Sequence, residues 1–446
     1  MYTLLLLALT NESITRRLTH DCQLFNRSFE QIERDLHIYT DGIHASSAPS
    51  YDKLCPLSQS QDSGQPAWSC YFFTLLIENG SAYITSLFDR EGEVRDGVIF
   101  GLKGREIEEA ILAGHLLEIY ETSIKHSLED TEFAIFWGDH YEAVTGDMNF
   151  ERLRAEYTAG SSGAPPGSNP NSVIPIILQF NKGDREPFLL MPHSYHHQCG
   201  ANNLDELIAA AEIRGRSVGD GSWALRDGRA FSSWSMFCPY WVSEGIKWSD
   251  GSSMQCPREA LVALSKKYPL LIDLHQVEDG RPFDDYNAFK YAVSTDGFAA
   301  SSRLEKCMMT GAAVLKQKSP RYAYFYHLLR PWVHYVPFWE NRSDDLFDAV
   351  VWLRTHDAEA ERIARRGRAV IRKYVNRGAR ICYWEALMRR IHVLLRYKPT
   401  PCSERQICVE VGRQLEHMGK HVGEKCSGNL TILQQLGTMH NVPAAG

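Results

Sequence analysis

Between residues 258 and 316 short apolar runs alternate with helical patterns, and that alternation limits the possible folds more than any other feature of the chain. Arg258 to Lys267 reads as a short amphipathic helix, and Leu270 to Leu274 as a strand. Phe289 to Ser294 is a second strand, broken at Asp296-Gly297, with a helix opening near Ser301. Ala312 to Lys316 supplies another strand, and two long helical patterns follow, Ala358 to Tyr374 and Cys382 to Tyr397. Repeated strand–helix alternation predicts an α/β fold with a mainly parallel sheet. Upstream, Ile107, Ile111, Leu112, Leu116, Ile119 and Tyr120 keep helical spacing across 104 to 127. Thr131 to Trp137 then reads as a buried strand ending at Gly138-Asp139, Val173 to Phe180 as another strand, and 205 to 213 as a helix. Residues 159 to 172 have the composition of a surface loop, and the Trp- and Ser-rich stretch to about 250 predicts no element.

A chain of 446 residues exceeds the reach of one hydrophobic core, so at least two domains are expected. The boundaries suggested are an irregular opening over 1–103, a first α/β domain over 104–250, a second over 251–400, and a tail over 401–446. The net charge of -7 argues against a nucleic-acid binder, which would carry a basic excess. The arginine-rich run over 362 to 380 reads as a solvated helix face. Tyr2 to Thr10, with Leu4 to Leu7 and Leu9, is too short to span a bilayer. It suits the apolar part of a truncated or cleaved signal peptide, although no basic residues precede it. Asn-X-Ser/Thr triplets begin at Asn11, Asn26, Asn79, Asn341 and Asn429, which adds weak support for a secretory compartment, the endoplasmic reticulum or Golgi lumen. Eleven cysteines do not make a disulfide scaffold; Cys402, Cys408 and Cys426 lack metal-finger spacing and read as structural or idle thiols. His193, His196, His197 and Cys199 match no zinc spacing and read as a loop with chance histidines, so no metal site is expected.

The chemistry concentrates in Tyr291 to Arg303. An apolar strand, a glycine turn, small residues and an arginine together form a plausible phosphate cradle. Small side chains admit backbone amides to a pyrophosphate, and Arg303 adds charge-assisted hydrogen bonds. Taken alone, the glycine pattern is no standard dinucleotide fingerprint, and an ordinary strand-to-helix turn fits it as well.

A wider resemblance bears on that choice. Asp296-Gly297-Phe298-Ala299-Ala300-Ser301-Ser302-Arg303 resembles the donor-binding turn of the protein O-glucosyltransferases, grouped with capsule-associated and lipopolysaccharide-modifying enzymes in glycosyltransferase family 90. Phe325 to Pro337 (Phe-Tyr-His-Leu-Leu-Arg-Pro-Trp-Val-His-Tyr-Val-Pro) is nearly a family signature, continued by Ile363 to Gly367 and Cys382-Tyr383-Trp384-Glu385. Ser252 and Arg258, ahead of Leu261 and Leu264, are similar to the family's preceding segment, where such residues contact the nucleotide sugar. Leu128 to Asp139 resembles the strand that delivers the catalytic aspartate, which makes Asp139 the implied general base. An exposed loop aspartate is the plainer reading of the same residue.

The resemblance implies two Rossmann-like domains facing a cleft, the GT-B-type architecture. It implies inverting transfer of a sugar, glucose or xylose foremost, from a UDP-sugar to a hydroxyl of a protein or glycan acceptor. No cofactor is expected, and the absence of any Asp-X-Asp triplet agrees with a metal-independent family. The sequence also departs from the family pattern. Asp250 stands where the family usually has an arginine, Tyr286 and Thr310 occupy the places of two bracing cysteines, and the cysteine-flanked acceptor loop has no counterpart. Cys382 matches a family cysteine that pairs with the N-terminal region, with Cys70 or Cys55 as the implied partner. Asp250 motivates an alternative, a catalytically inactive relative that binds sugar nucleotide or glycoprotein. A two-carboxylate glycosidase ranks far behind, since no pattern selects a pair.

Overall fold

The computed structural model describes residues 22–39, 42–43, 72–88, 92–100, 106–136, 175–178, 189–193, 196, 203–217, 223–238, 242, 247–248, 251–277, 283–297 and 300–425. The chain divides into two compact units. One comprises residues 1–199 together with 378–446, and the other residues 200–377. The second unit is therefore inserted into the first, and its start lies ahead of the expected boundary at 250. The reason is a strand within the unassigned Trp/Ser-rich stretch, Asp227–Trp234, which belongs to the second unit's sheet.

The first unit holds strands β1 (Phe72–Glu78), β2 (Ser81–Ile84), β3 (Glu93–Arg95), β4 (Val98–Phe100), β5 (Thr131–Phe136), β6 (Ile176–Leu178), β7 (Leu189–Leu190) and β13 (Val409–Glu410). Its main sheet runs β13-β2-β1-β5-β6-β7. The pairings from β13 to β5 are antiparallel, and β5, β6 and β7 are parallel to one another. This mixed sheet departs from the parallel pattern expected of a Rossmann-like half. The opening expected to be irregular contributes β1 to β4, because Asn79-Gly80 and Asp96-Gly97 both take positive φ and turn tight hairpins.

Helix α1 (Glu30–Asp35) lies close to the sheet edge, where Asp35 accepts the Leu190 backbone N–H at 2.8 Å. Helix α2 (Glu106–His126) carries Glu118, whose carboxylate receives Arg380 Nε at 2.7 Å from helix α8 (Arg377–Leu394); both side chains are fully buried. Cys382, on α8, pairs with Cys22. This corrects the expectation of Cys55 or Cys70: Cys22 is buried at the head of the 3-10 turn Cys22–Phe29, its Cα 5.1 Å from that of Cys382. Cys402 and Cys408, expected to be structural or idle thiols, form a disulfide across the turn that precedes β13. Helix α9 (Val411–Lys425) packs on α2, and Gly412 lies so near the Tyr120 ring that a Cβ would come within 2.9 Å of it.

The second unit is built on a wholly parallel five-stranded sheet. Its strands are β8 (Asp227–Trp234), β9 (Ile272–Gln276), β10 (Phe289–Ser294), β11 (Ala313–Gln317) and β12 (Val336–Phe338), in the order β12-β11-β10-β8-β9. Counted along the chain, this is the 2-1-3-4-5 order of the flavodoxin-like doubly wound sheets. Tyr291, Ala292 and Val293 are all buried, as a strand covered on both faces requires. Flanking helices are α3 (Leu204–Ser217), α4 (Pro257–Lys267), α5 (Leu304–Met309), α6 (Asp345–Thr355) and α7 (Asp357–Tyr374). The core joins Trp234, Ile272, Tyr291, Val293, Leu315 and Val336 of the sheet to Leu261 of α4, Val350 of α6 and Ile363 of α7.

The part of the arginine run on α7 is a solvated helix face: Arg362 and Arg366 pair with Glu359, and Arg365 pairs with Glu361, on one side of α7. Arg380, at the far end of the run, departs from that expectation, because it is buried on α8 against Glu118. Gly367 has a separate role. A Cβ there would lie 2.5 Å from the His334 carbonyl oxygen, so glycine allows α7 to abut the segment that enters β12. Two of the motifs quoted for the family resemblance thus meet in space.

Candidate functional site

In a 2-1-3-4-5 sheet the chain reverses direction between its first and third strands, here β8 and β10. Ligands of open α/β sheets bind outside the carboxyl ends of the strands at that reversal, because the connecting loops diverge there and leave a crevice. The turn that follows β10 is the predicted donor turn.

Two arginines converge on this point. Arg258, in the first turn of α4, is buried; its Nη1 donates to the Ser235 carbonyl at 2.7 Å and its Nε to Thr295 Oγ1 at 3.2 Å. Arg303, at the N-terminus of α5, donates through Nη1 to the Ser233 carbonyl. Ser233 belongs to β8, Ser235 follows its end, and Thr295 follows β10, so both guanidiniums hold to the carboxyl edge of the switch point. Among the described residues neither arginine makes an ion pair; both donate to neutral oxygens. Burial, and then the charge of Arg303, push the Arg258 guanidinium down to about 9. Two like charges held side by side, one of them desolvated, form a site that an anion would relieve.

The turn itself is held by Asp296. Its Oδ1 accepts the Ser301 N–H at 3.0 Å and its Oδ2 the Ser319 hydroxyl, while its own N–H donates to Gln317 Oε1 at 3.0 Å. Ser294 Oγ adds a bond to Ser301 Oγ at 3.2 Å. The loop after β10 is thereby fastened to the end of β11. Burial raises the Asp296 carboxyl, while Lys316 and the buried Arg321 counter that shift by their charge. With Arg258 and Arg303 alongside, cations outnumber the one carboxylate. Both oxygens of that carboxylate already accept hydrogen bonds, and the surplus of positive charge suits an anion. Gly297 leaves room for the guanidinium: a Cβ there would approach Arg258 Nη2 to 3.2 Å.

The disulfide Cys238–Cys256 joins the segment leaving β8 to the residue just ahead of α4, and so staples Arg258 to the strand end it grips. It lies elsewhere than the family cysteines whose places Tyr286 and Thr310 take. Tyr286 is buried, and its hydroxyl receives the Ser233 N–H at 3.1 Å, so it braces the same strand from within.

Of the residues singled out from the sequence, Arg258, Ser301 and Arg303 come together at the switch point, and the buried Ala300 and half-buried Ser302 lie in the same turn. Ser252 sits on an exposed turn ahead of α4, where its carbonyl accepts the Trp248 N–H at 2.9 Å and Gly251 takes φ 85°. Asp139, Asp250, Phe298 and Ala299 lie outside the described residues. Gln317, Ser319 and Thr295, which position the turn, carry no sequence signal of their own. Asp296 was visible only as part of the quoted motif. His193 and His196 are both buried, and His197 and Cys199 lie outside the described residues.

A parallel sheet with two arginines at the carboxyl edge of its switch point has them where open α/β folds bind their ligands. Comparison with known sequences is more specific: residues 253–430 match the sequence model of "Glycosyl transferase family 90". Protein O-glucosyltransferase 3 of Rattus norvegicus is 35% identical over 167 residues, covering 34% of this chain and 33% of that protein. Protein O-glucosyltransferase 2 of Danio rerio is 35% identical over 117 residues, covering 26% and 23%. Human protein O-glucosyltransferase 1 is 28% identical over 202 residues, covering 41% and 50%. The alignment thus spans about a third of the length of the first of these relatives.

Proposed function

We propose that the chain is an inverting glycosyltransferase that moves a sugar, glucose or xylose, from a UDP-sugar to a hydroxyl of a protein or glycan. The observation that carries this reading is the unneutralised pair Arg258 and Arg303 at the switch point of a parallel sheet. The names of the relatives favour a protein as the acceptor. In the proposed step Asp139 takes the proton of the acceptor hydroxyl as its oxygen attacks the anomeric carbon. The bond from that carbon to the diphosphate oxygen breaks on the opposite side, which inverts the configuration. Arg258 and Arg303 stabilise the charge arriving on the departing UDP, each worth on the order of 2–4 kcal/mol in the transition state. No metal takes part in the proposed step. Three disulfides, Cys22–Cys382, Cys238–Cys256 and Cys402–Cys408, fit an oxidising compartment, the lumen of the endoplasmic reticulum or Golgi. Among the described residues no helix is long and apolar enough to cross a membrane.

Titration calorimetry of UDP into the protein with EDTA present, repeated with Arg303→Ala, tests the reading. Binding to the native protein that the substitution abolishes is the expected result. Absence of UDP binding to the native protein would refute it. Nucleotide binding without transfer to any acceptor would instead favour the inactive relative that Asp250 suggests.

A further inference from the structure

Beyond the two arginines, the carboxyl edge of the second unit's sheet carries an exposed aromatic side chain, Phe237. The unit's exposed large apolar side chains, among the described residues, are Leu225, Phe237, Leu270, Trp332 and Val351. Leu225 precedes β8, Leu270 precedes β9, Trp332 precedes β12 and Val351 lies within α6. Phe237 alone follows the carboxyl end of a strand, and that strand is β8, at the switch point.

Its attachment to the arginine site is direct. The Ser235 carbonyl oxygen accepts both Arg258 Nη1, at 2.7 Å, and the Phe237 N–H, at 2.9 Å. The next residue, Cys238, is disulfide-bonded to Cys256, at the start of the helix that carries Arg258. One oxygen and one covalent staple therefore tie the backbone at Phe237 to the helix and strand end that hold the Arg258 guanidinium. Phe237 remains 46% exposed, and solitary exposed apolar residues are common on protein surfaces. Here, however, the exposed aromatic residue follows the strand end that Arg258 and Arg303 both grip, and a nucleoside diphosphate offers both a flat base and a charged tail.

We propose that Phe237 is the surface on which the nucleobase of the donor stacks, while Arg258 and Arg303 hold its diphosphate; this rests on the nucleotide-sugar reading above. Stacking is tolerant of base identity, so the residue contributes affinity for the nucleoside and little selectivity among bases.

The test compares UDP with inorganic pyrophosphate by calorimetry on the native protein, Phe237→Ala and Phe237→Trp, with melting curves confirming that each variant is folded. Phe237→Ala is expected to weaken UDP about tenfold or more, a typical loss of one base-stacking partner, and to leave pyrophosphate binding within twofold. Phe237→Trp is expected to retain UDP binding. If UDP and pyrophosphate weaken together, or if neither changes, the stacking role is wrong while the nucleotide-sugar reading stands. If the native protein binds neither ligand, that reading fails and the stacking role falls with it.

Discussion

At the residue scale, buried charge is the recurring device. Asp35 is held by the Leu190 N–H and by Gln31 Nε2 at 2.7 Å, yet burial pushes its carboxyl up to about 7. Between its ordinary value near 4 and about 7, the folded protein keeps a proton that the unfolded chain releases, so stability from this group falls as pH rises through that window. The stability advantage of the native protein over Asp35→Asn, measured by urea denaturation, is therefore expected to be larger at pH 5 than at pH 8. An equal advantage at both would show that burial does not perturb this carboxyl. Arg258 is the counterpart in the second unit, a cation whose charge burial and Arg303 disfavour. The place of Arg303 could be anticipated from the strand-turn-arginine pattern of the sequence. The carbonyls it and Arg258 grip could not, because any residue type presents the same backbone oxygen.

At the scale of elements, much of the second unit is legible. The pattern over Phe289–Ser294 matches β10 to the residue, and helices α4 and α7 begin within one residue of expectation. Buried strands of both units show as apolar runs because both of their faces are covered. Strand β8 escapes that logic. It opens with Asp227, Gly228 and Arg229 and buries Ser232 and Ser233, whose polar groups are satisfied by Tyr286 from a distant part of the chain. Polar residues satisfied by a remote partner look like loop in a local reading. The hairpins β1–β2 and β3–β4 did carry a local signal, Asn-Gly and Asp-Gly between apolar residues, which the opening's mixed composition obscured.

Two element-level predictions follow from packing. Gly367→Ala would favour helix locally but drive a methyl against the His334 carbonyl, and a net loss of about 1–3 kcal/mol is expected in chemical denaturation. Replacing Cys238 and Cys256 together by serine opens a short loop, of sequence separation 18, at a cost of roughly 3 kcal/mol. It is also expected to weaken UDP binding several-fold at temperatures where the variant stays folded. Unchanged affinity would mean that the staple does not position Arg258.

At the scale of the molecule, the domain boundaries were the least legible feature, because local composition does not reveal which strands share a sheet. Peptide mapping without reduction is expected to recover Cys22–Cys382, Cys238–Cys256 and Cys402–Cys408 as linked pairs, with Cys307 as a thiol. Recovery of Cys382 with Cys55 or Cys70 would overturn the arrangement of the first unit. Because the second unit interrupts the first, the order of synthesis acquires meaning. Residues 200–377 leave the ribosome as an uninterrupted stretch and can close their parallel sheet at once. The first unit must wait: Cys22 emerges early, but Cys382, the Arg380 that neutralises buried Glu118, and the sheet-edge strand β13 all arrive after the insert. Throughout that interval its nascent half holds Cys22 and Glu118 without the partners they have in the folded protein.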